Sequence, residues 1–331
     1  MADLKGKDIL HGAQFSRDEI ELIMDIAADM REQLKAHHSL DLLKGYVMGA
    51  LFFEPSTRTR LSFEAAMHRL GGSMLGCASA GVSSAKKGES LSDTIRNVDQ
   101  YVDVIAMRHP EIGSAKIAAE AAEAPVLNGG DGAGQHPTQA LLDLFTIQSE
   151  RGQLDGNTIA LCGDLKYGRT VHAGVELYKH YDVKLILVAP DALKMDPEIT
   201  AKLREQGVAL EETDNLQAAL AEATVLYMTR IQKERFDDPG EYQRLKGSYV
   251  LTREMIERIN PDVTVMHPLP RVDEITTDVD ELPNAAYFRQ AKNGVFTRMA
   301  LLTLVLGRYI GILVYWYIGI LVYWYIGILV Y

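Results

Sequence analysis

The chain has 331 residues, of which 47% are hydrophobic and 24% are charged, and its net charge is −11 at pH 7. This length favours two domains over one and provides a core large enough to fold without disulfides or a metal. The acidic balance argues against nucleic acid as the main partner, because neutralising phosphates requires a basic surface. The two cysteines, Cys77 and Cys162, lack metal-ligand spacing, so we expect a cytoplasmic protein without a metal site. The first residues contain no apolar stretch of the kind found in a secretory signal, which agrees with that location.

Short segments rich in β-branched residues alternate with segments of helical periodicity almost to the end of the chain. The predicted strands are residues 46–53, 104–107, 158–162, 183–188, 225–228 and 263–266. The predicted helices include residues 58–70, 137–148, 218–223 and 294–306. In the first of these helices apolar residues recur at intervals of three and four, and Gly71 ends the run. This alternation predicts an α/β fold of two domains, each an open, mostly parallel sheet flanked by helices.

The domain boundary is predicted at residues 150–156, a polar segment that contains two glycines. The alternation of strands and helices starts again after this segment. We expect the last helix, residues 294–306, to fold back onto the first domain. The first domain would then consist of residues 1–150 and 288–308, and the second of residues 151–287.

A phosphate site is predicted where the first strand ends. The turn after that strand contains, in order, Glu54, Pro55, Ser56, Thr57, Arg58, Thr59 and Arg60. Such a turn at a helix N-terminus presents backbone N–H groups to an anion, and the helix dipole and two arginines add positive potential. In the alternative, Ser56 only caps the helix and the arginines are solvated, which leaves the alternation of hydroxyls and arginines unexplained. The turn is neither a Walker loop nor a G-x-G-x-x-G turn, so a nucleotide is not implied.

Two further polar clusters follow in the first half of the chain. The strand at residues 104–107 runs directly into Arg108, and His136 precedes a helix whose first residue is Pro137. Taken alone, His136 reads as a polar residue before a helix cap. Together with the phosphate site, it becomes a candidate hydrogen-bond donor or base near a carbonyl group.

Arginines recur after three strands of the second half. Arg169, Arg230 and Arg271 follow the strands at residues 158–162, 225–228 and 263–266. Ligands of an open parallel sheet bind beyond the carboxyl ends of its strands, although polar residues also occur there because strands end at the surface. Three arginines in an acidic protein favour a bound dianion, since the planar guanidinium donates two parallel hydrogen bonds to a carboxylate.

Taken together, these motifs resemble those of the aspartate/ornithine carbamoyltransferase family. The shared motifs are Ser56-Thr57-Arg58-Thr59-Arg60, Arg108-His109-Pro110, His136-Pro137-Thr138-Gln139 and His267-Pro268-Leu269-Pro270-Arg271. Two more resemble the aspartate-specific branch: Asp164-Leu165-Lys166-Tyr167-Gly168-Arg169 and Thr229-Arg230-Ile231-Gln232-Lys233-Glu234-Arg235. The Ser-Met-Gly loop and the Cys before Leu-Pro of the ornithine branch do not occur. The resemblance extends from about residue 4 to residue 308.

The resemblance implies transfer of the carbamoyl group from carbamoyl phosphate to the amine of L-aspartate, a step of pyrimidine biosynthesis, without cofactor, metal or covalent intermediate. It implies that the phosphate is bound by Ser56, Thr57, Arg58 and Thr59. It also implies that the carbonyl oxygen accepts hydrogen bonds from Arg108, Thr59 and His136, and that the carbamoyl amine contacts Gln139 and the backbone of Leu269 and Pro270. The aspartate carboxylates would contact Arg169, Arg230, Gln232 and Lys87. The catalytic residues among these would be Arg58, Thr59, Arg108 and His136.

The same resemblance implies a homotrimer with shared sites. Ser83 and Lys87 would enter the active site of the neighbouring subunit, which makes the trimer the smallest active unit. From the residues alone, Lys86 and Lys87 would be a solvated surface pair. Regulatory chains as additional partners are left open.

The end of the chain differs from the rest in kind. Residues 309–331 repeat the sequence YIGILVYW almost three times and carry no charge. Length alone makes this segment a candidate transmembrane helix. However, glycine recurs every eight residues among β-branched and aromatic residues, and the aromatic residues are not collected at the ends. We therefore expect a segment added to the family's chain rather than a membrane anchor.

Two other functions are left open by the sequence. One is a carbamoyltransferase for a different amino acid, which the motif around Arg230 argues against. The other is a membrane-anchored or assembly-forming fusion, in which the repeat at residues 309–331 would be the functional element.

Overall fold

Nine strands and eleven α-helices alternate along the part of the chain that the computed structural model describes, residues 3–77, 88–232 and 238–309. The first half contains α1 (Arg17–Ala36), β1 (Val47–Phe52), α2 (Thr57–Arg69), β2 (Ser73–Cys77), α3 (Leu91–Asp99), β3 (Val104–His109), α4 (Ser114–Ala121), β4 (Val126–Asp131) and α5 (Pro137–Arg151). The second half contains β5 (Thr158–Cys162), α6 (Arg169–Tyr178), β6 (Lys184–Val188), α7 (Pro197–Glu205), β7 (Ala209–Thr213), α8 (Leu216–Glu222), β8 (Val225–Met228), α9 (Pro239–Leu245), α10 (Arg253–Ile259), β9 (Thr264–Met266) and α11 (Tyr287–Val305).

The strands form two sheets in which every pairing is parallel. The first sheet has the order β2-β1-β3-β4, and the second has the order β7-β6-β5-β8-β9. In the first sheet Ala50 pairs with Ala106, and in the second Ala160 pairs with Ile186 on one side and Leu226 on the other. This arrangement confirms the predicted α/β fold with two open parallel sheets flanked by helices.

The six predicted strands are all present, and three more occur that the sequence did not predict. β7 is an edge strand whose residues are mostly exposed, so it lacks the apolar run that marks a buried strand. β4 is completely buried but ends in Asn128, Gly129, Gly130 and Asp131, a composition typical of turns. Local sequence therefore reveals the central strands better than the strands whose pairing depends on tertiary contacts.

Helix ends follow the local chemistry of the sequence. At the start of α1, the Ser16 side chain accepts a hydrogen bond from the Glu19 N–H, and the Glu19 side chain accepts one from the Ser16 N–H. This capping box satisfies two of the amides that every helix leaves unpaired at its start. At the end of α5, Gly152 has φ +83°, the left-handed conformation that commonly terminates a helix.

The last helix is longer than predicted and mostly buried. α11 begins at Tyr287 rather than at residue 294, and it packs against α1, α2 and α5. Such contacts are expected if residues 288–308 belong to the first domain. The division into domains itself stays a prediction. Tyr309 donates a hydrogen bond from its hydroxyl to Asp29 in α1 at 3.2 Å.

The rest of the predicted tail, residues 310–331, lies outside the described part of the chain. Among the described residues, no helix has both the length and the apolar character needed to cross a bilayer.

The strand orders locate the crevices where an open sheet binds ligands. In the first sheet the connections run to opposite sides at the boundary between β1 and β3, and in the second at the boundary between β5 and β8. Such switch points leave a crevice at the carboxyl ends of the two central strands. The segments that follow these four strands are therefore the first place to look for a functional site.

Candidate active site

A cleft of about 390 Å³ is bordered by the end of β3 and by the segments that follow β1, β4, β5, β8 and β9. All described residues to which the family resemblance assigned a role in the site line it: Ser56, Thr57, Arg58, Thr59, Arg108, His136, Gln139, Arg169, Arg230, Gln232, Leu269 and Pro270. Ser83 and Lys87 lie outside the described residues, as do Lys86, Lys233, Glu234 and Arg235. The structure thus brings together, at one place, segments that are more than 200 residues apart in sequence.

Three helices begin at this cleft, and none of them is capped by its own side chain. The N-cap residues of α2, α5 and α6 are Ser56, His136 and Gly168, and no side-chain cap hydrogen bond is present at any of them. The first backbone amides of a helix carry positive partial charge and need hydrogen-bond acceptors. Three such helix ends at one cleft form a site suited to anions.

The side chains at the cleft are mostly positive, like the helix N-termini. Five arginines line it: Arg58, Arg108, Arg169, Arg230 and Arg298. Glu54 is the acidic residue among its described lining residues. This concentration of arginine is local, since the chain as a whole has a net charge of −11. The cleft can therefore attract a ligand with several negative charges.

Glu54 connects two of these arginines. Its Oε2 lies 2.9 Å from Nη2 of Arg108 and 3.6 Å from Nη1 of Arg169. Nη1 of Arg108 also donates to the carbonyl oxygen of Gly129 at 3.2 Å. Burial, together with the nearby Arg169, lowers the pKa of Arg108 to about 10, and Glu54 partly offsets this effect. Arg108 therefore stays cationic at neutral pH in a largely dehydrated position.

Arg58 lies in the first turn of α2 and faces the second half of the chain. Burial and the positive charge of Arg230 both lower the pKa of Arg58. Arg60, two residues further along the helix, instead pairs with Glu64, with 2.6 Å between Nε and Oε1. The two arginines of the predicted phosphate turn are therefore not equivalent, and Arg58 is the one at the cleft.

His136 is a neutral imidazole inside the cleft. Its side chain is buried, and within the described residues its Nδ1 has no hydrogen-bond partner. Burial and three nearby arginines (Arg169, Arg108 and Arg298) lower the pKa of His136 well below its usual value. A neutral imidazole can donate one hydrogen bond to a ligand oxygen but cannot supply a positive charge.

The segment after β9 adopts an uncommon backbone conformation. Leu269 has φ +57°, and the Leu269–Pro270 peptide bond is cis. The Leu269 N–H donates to Nδ1 of His267 at 2.7 Å, so the proton of this imidazole must be on Nε2, which lies 2.7 Å from Oε1 of Glu274. Positive φ is costly for a residue other than glycine and persists where surrounding contacts hold it. His267 and Glu274 hold this segment against the cleft.

Arg271 does not belong to the cleft, although its place after β9 suggested a ligand-binding role. Its guanidinium binds both carboxylate oxygens of Asp280, with 2.6 Å between Nη2 and Oδ2, and it also donates to the Tyr287 hydroxyl at 3.1 Å. That it helps to bind a dianion therefore stays a prediction, and the described lining of the cleft does not include it. A neighbouring carboxylate, not visible from the local sequence, neutralises it.

The two glutamines of the cleft are held by buried acids. Gln139 donates from Nε2 to Oδ1 of Asp143 at 2.8 Å. The backbone N–H of Gln232 donates to Oδ2 of Asp164 at 3.3 Å, and its Nε2 donates to the Tyr167 carbonyl at 2.9 Å. Both side chains therefore reach the cleft in defined orientations.

Sequence reasoning did not assign a role to Glu54 or Arg298. Glu54 is adjacent to the phosphate turn, which was a usable signal. Arg298 lies in the apolar part of α11 and is completely buried, where it donates to Ser62 at 2.7 Å and to Thr138 at 3.2 Å. A lone arginine among apolar helix residues is a second signal, because buried charges are rare without a partner or a function.

The fold and the cleft define a class: an α/β protein with two parallel sheets that binds anionic ligands between them. The family model for the carbamoyl-phosphate-binding domain of aspartate/ornithine carbamoyltransferases matches residues 7–149, and the model for the Asp/Orn-binding domain matches residues 155–305. The chain belongs to the aspartate/ornithine carbamoyltransferase family, as its motifs predicted.

Relatives with similar sequences carry one name. The aspartate carbamoyltransferase catalytic subunit of Thermococcus gammatolerans is 53% identical over 305 residues, covering 92% of this chain and 99% of the relative. That of Chromobacterium violaceum is 48% identical over 304 residues, covering 92% and 99%.

Solved structures with the same fold are of aspartate transcarbamoylases. Aspartate transcarbamoylase from Trypanosoma cruzi, in complex with carbamoyl phosphate and aspartate, has a TM-score of 0.88 and 46% identity, covering 92% of this chain and 98% of the other. The catalytic subunit of M. Jannaschii aspartate transcarbamoylase has a TM-score of 0.85 and 46% identity, covering 90% of this chain and 98% of the other.

Proposed function

We infer that the chain transfers the carbamoyl group from carbamoyl phosphate to the amine of L-aspartate, giving N-carbamoyl-L-aspartate and phosphate. The observation that carries this conclusion is the cleft, which joins five arginines and three uncapped helix N-termini at the switch points of two sheets. The Trypanosoma cruzi enzyme, 46% identical to this chain, binds both substrates. The product is an intermediate of pyrimidine biosynthesis.

Phosphate binding is assigned to the start of α2. Ser56, Thr57, Arg58 and Thr59 would bind the phosphate of carbamoyl phosphate through their side chains and through the first amides of the helix. The position of Arg58 at the cleft and the absence of a side-chain cap at Ser56 support this assignment. Residues 1–150 with 288–308 would form the domain that binds this substrate.

The carbonyl oxygen of the carbamoyl group is assigned to Arg108, Thr59 and His136. The aspartate amine attacks the carbonyl carbon, a C–N bond forms, and the oxygen gains negative charge before the bond to phosphate oxygen breaks. Donors that are already in place stabilise this charge without reorganisation. His136 can act as such a donor through the single N–H of its neutral imidazole, and the departing phosphate can accept the proton that the amine loses.

Aspartate binding is assigned to Arg169, Arg230 and Gln232, on the segments after β5 and β8. Two arginines and an amide can bind two carboxylates through paired hydrogen bonds. These residues belong to the predicted second domain, residues 151–287. Much of the rate enhancement would then come from holding two anionic substrates side by side.

We also propose a homotrimer in which Ser83 and Lys87 enter the neighbouring subunit's active site and Lys87 contacts aspartate. The family resemblance of the segment around these residues supports this proposal. A cytoplasmic location, based on the cysteine content, remains our expectation, and regulatory chains remain open as partners.

The assignment of the two substrates predicts different effects for two arginines. We expect Arg58→Ala to lower kcat/KM by roughly a hundredfold to a thousandfold, because it removes a charge-assisted contact made in the transition state. Arg230→Ala should raise the KM for aspartate far more than it weakens carbamoyl phosphate binding. The measurements are N-carbamoyl-aspartate formation with each substrate varied, and carbamoyl phosphate binding without aspartate.

Arg60→Ala is the matched control for Arg58→Ala, since it removes an arginine from the same turn that pairs with Glu64 outside the cleft. Its kcat/KM should change less than about threefold, as expected for loss of a half-buried ion pair that does not contact the ligand. Near-normal activity of Arg58→Ala would refute the phosphate site. Equal weakening of both substrates by Arg230→Ala would refute the carboxylate assignment.

A further inference from the structure

A buried carboxylate lies directly behind the cleft. Asp143 is completely enclosed in α5, one helical turn after Gln139. Its Oδ1 accepts hydrogen bonds from Nε2 of Gln139 at 2.8 Å and from Nε2 of Gln290 at 2.7 Å, and its Oδ2 accepts one from the Tyr227 hydroxyl at 2.8 Å. These partners belong to three different elements, α5, α11 and β8. Asp143 therefore joins both halves of the chain behind the cleft.

The chemistry of Asp143 determines which way Gln139 faces. An ionised carboxylate only accepts hydrogen bonds, so the amide nitrogen of Gln139 must face it, and the amide oxygen is left for the cleft that Gln139 lines. Burial raises the pKa of Asp143 to about 7, yet the protonated form keeps this arrangement when the proton is on Oδ2, with Tyr227 as its acceptor. Gln139 thus presents an acceptor, and not a donor, to the ligand in both protonation states.

The same carboxylate oxygen also controls the segment after β9. Gln290, held by Asp143, accepts through its Oε1 a hydrogen bond of 2.9 Å from the His267 N–H. His267 in turn accepts the Leu269 N–H. The chain of contacts runs from Asp143 through Gln290 and His267 to Leu269, whose backbone borders the cleft. The Gln139 side chain and the Leu269 backbone, which are both assigned to the carbamoyl amine, are therefore anchored at Asp143.

We propose that Asp143 is a positioning residue that makes the site selective for a carbamoyl group over other acyl groups. By orienting Gln139, it places an acceptor oxygen opposite the –NH2 of carbamoyl phosphate. An acyl phosphate with a methyl group in that position, such as acetyl phosphate, cannot donate to this oxygen and leaves it unsatisfied. This inference rests on the proposed function, in which Gln139 contacts the carbamoyl amine.

The test measures the discrimination ratio, defined as the dissociation constant of acetyl phosphate divided by that of carbamoyl phosphate. Asp143→Leu keeps the approximate volume but removes the acceptor, so the Gln139 amide loses its orientation. We expect the ratio to fall by about tenfold, the effect of one lost buried hydrogen bond. In Asp143→Asn the side-chain oxygen can still accept from Gln139 while its NH2 donates to Tyr227, so the ratio should stay within about twofold of the original.

Three controls separate positioning from stability. Tyr227→Phe removes a hydrogen bond from the same carboxylate without touching Gln139, and it should leave the ratio unchanged even if the melting temperature falls. Inorganic phosphate affinity reports that the phosphate site is folded in each variant. In a Gln139→Ala background, Asp143→Leu should have almost no further effect on the ratio, because it acts through Gln139.

Asp143→Ser provides a second variant if Asp143→Leu does not fold. Serine in this helix would bond to the carbonyl one turn back, as Thr146 does to Leu142 and Ser149 to Phe145, both at 2.7 Å. It would therefore not hold Gln139, and the ratio should fall as with leucine.

The outcomes distinguish the role of Gln139 in the proposed function from the positioning role of Asp143. A Gln139→Ala protein with an unchanged ratio would refute the proposed role of Gln139 itself. If Gln139→Ala lowers the ratio while the folded leucine and serine variants at position 143 do not, the positioning role of Asp143 is refuted and the proposed function stands. An equal fall of the discrimination ratio in Tyr227→Phe would also refute the positioning role of Asp143.

Discussion

Single residues at the cleft have protonation properties that differ from those of the same residues in water. His136 is the clearest case, because burial and three positive neighbours all disfavour its charged form. His267 is also buried, and its pKa is lowered by burial in spite of the opposing effect of Glu274. Each neutral imidazole costs folding free energy at acidic pH, since the unfolded chain can take up a proton that the folded chain refuses.

The free energy of unfolding should therefore decrease as the pH drops below about 6.5, and part of this decrease should depend on His136. The folded-state pKa lies below the unfolded value, so the contribution of this residue is complete above about pH 6.5 and is lost as the pH falls. We expect His136→Gln to reduce the slope of unfolding free energy against pH by about 1.4 kcal/mol per pH unit between pH 6 and 5. Urea denaturation at several pH values measures this slope.

His37→Gln is the control for this measurement, because His37 is exposed at the end of α1. This variant removes a histidine outside the cleft, so it shows which part of the change in slope is specific to position 136. An unchanged slope in His136→Gln would show that the buried imidazole does not titrate as its surroundings require.

At the scale of elements, the starts of the helices fall into two groups. Six helices are capped by the side chain of their own N-cap residue: α1 by Ser16, α3 by Ser90, α7 by Asp196, α8 by Asn215, α9 by Asp238 and α10 by Thr252. The other five lack such a cap. In α4 and α11 the N-cap residues, Gly113 and Ala286, have no side chain that could form one, whereas Ser56 of α2, at the cleft, is a residue type that caps well. The hydroxyl of Ser56 is therefore available to a ligand.

Two serine substitutions should separate capping from ligand binding. Ser16→Ala should cost about 1 kcal/mol of stability, because it removes a capping hydrogen bond, and leave kcat/KM unchanged. Ser56→Ala should cost less than about 0.5 kcal/mol, since no capping bond is lost, but should lower kcat/KM for carbamoyl phosphate. Thermal unfolding and steady-state kinetics of both variants give the two quantities. A large stability loss in Ser56→Ala without a kinetic effect would mean that its hydroxyl caps α2 in solution.

At the scale of the whole molecule, the described cleft is lined by residues of one chain. The proposed trimer would add residues of a neighbouring subunit to it. Arg58 and Arg230 both line the cleft of the same chain. Lys87, outside the described residues, is proposed to enter the next subunit. This difference can be tested by mixing inactive variants.

Mixtures of Lys87→Ala and Arg58→Ala trimers should regain activity after subunit exchange. In a hybrid, a chain with intact Arg58 can receive intact Lys87 from its neighbour, which restores one complete site. Mixtures of Arg58→Ala and Arg230→Ala should stay inactive, because every site lacks one of two arginines from its own chain. Activity is measured after exchange has been verified with tagged subunits. No recovery in the first mixture would contradict the shared site.

The repeat at residues 309–331 should be dispensable for catalysis. It contains no charged side chain, and its uncharged windows rich in β-branched and aromatic residues are typical of aggregation-prone segments. A chain that ends at Arg308 should keep full activity per site and be more soluble. A chain that ends at Tyr309 isolates the hydrogen bond of that residue to Asp29, which should affect only the melting temperature.

Rate per active site and soluble fraction are measured for the three proteins. Loss of activity in a truncated protein that is still folded would assign a catalytic role to the repeat.

Much of this protein could be predicted from local sequence because the relevant signals are short in range. Apolar runs identified the central strands, and the hydroxyl and arginine residues after β1 identified the start of α2 as an anion site. Arg108, Arg169 and Arg230 were found by their place after strands, since parallel strands end at the same edge of a sheet. The joint presence of these motifs was sufficient to identify the family.

Other features depended on which residues meet in three dimensions. Arg271 follows a strand as Arg230 does, yet Asp280 neutralises it, and Asp143 is placed behind Gln139 by the packing of three elements. Strands β4 and β7 are defined by their pairing, which local composition does not encode. Local sequence determined the chemical groups and the strands that carry them, because propensity and periodicity act over a few residues. The tertiary structure alone decided which charges are paired and which face the ligand, because partners of a buried charge come from distant parts of the chain.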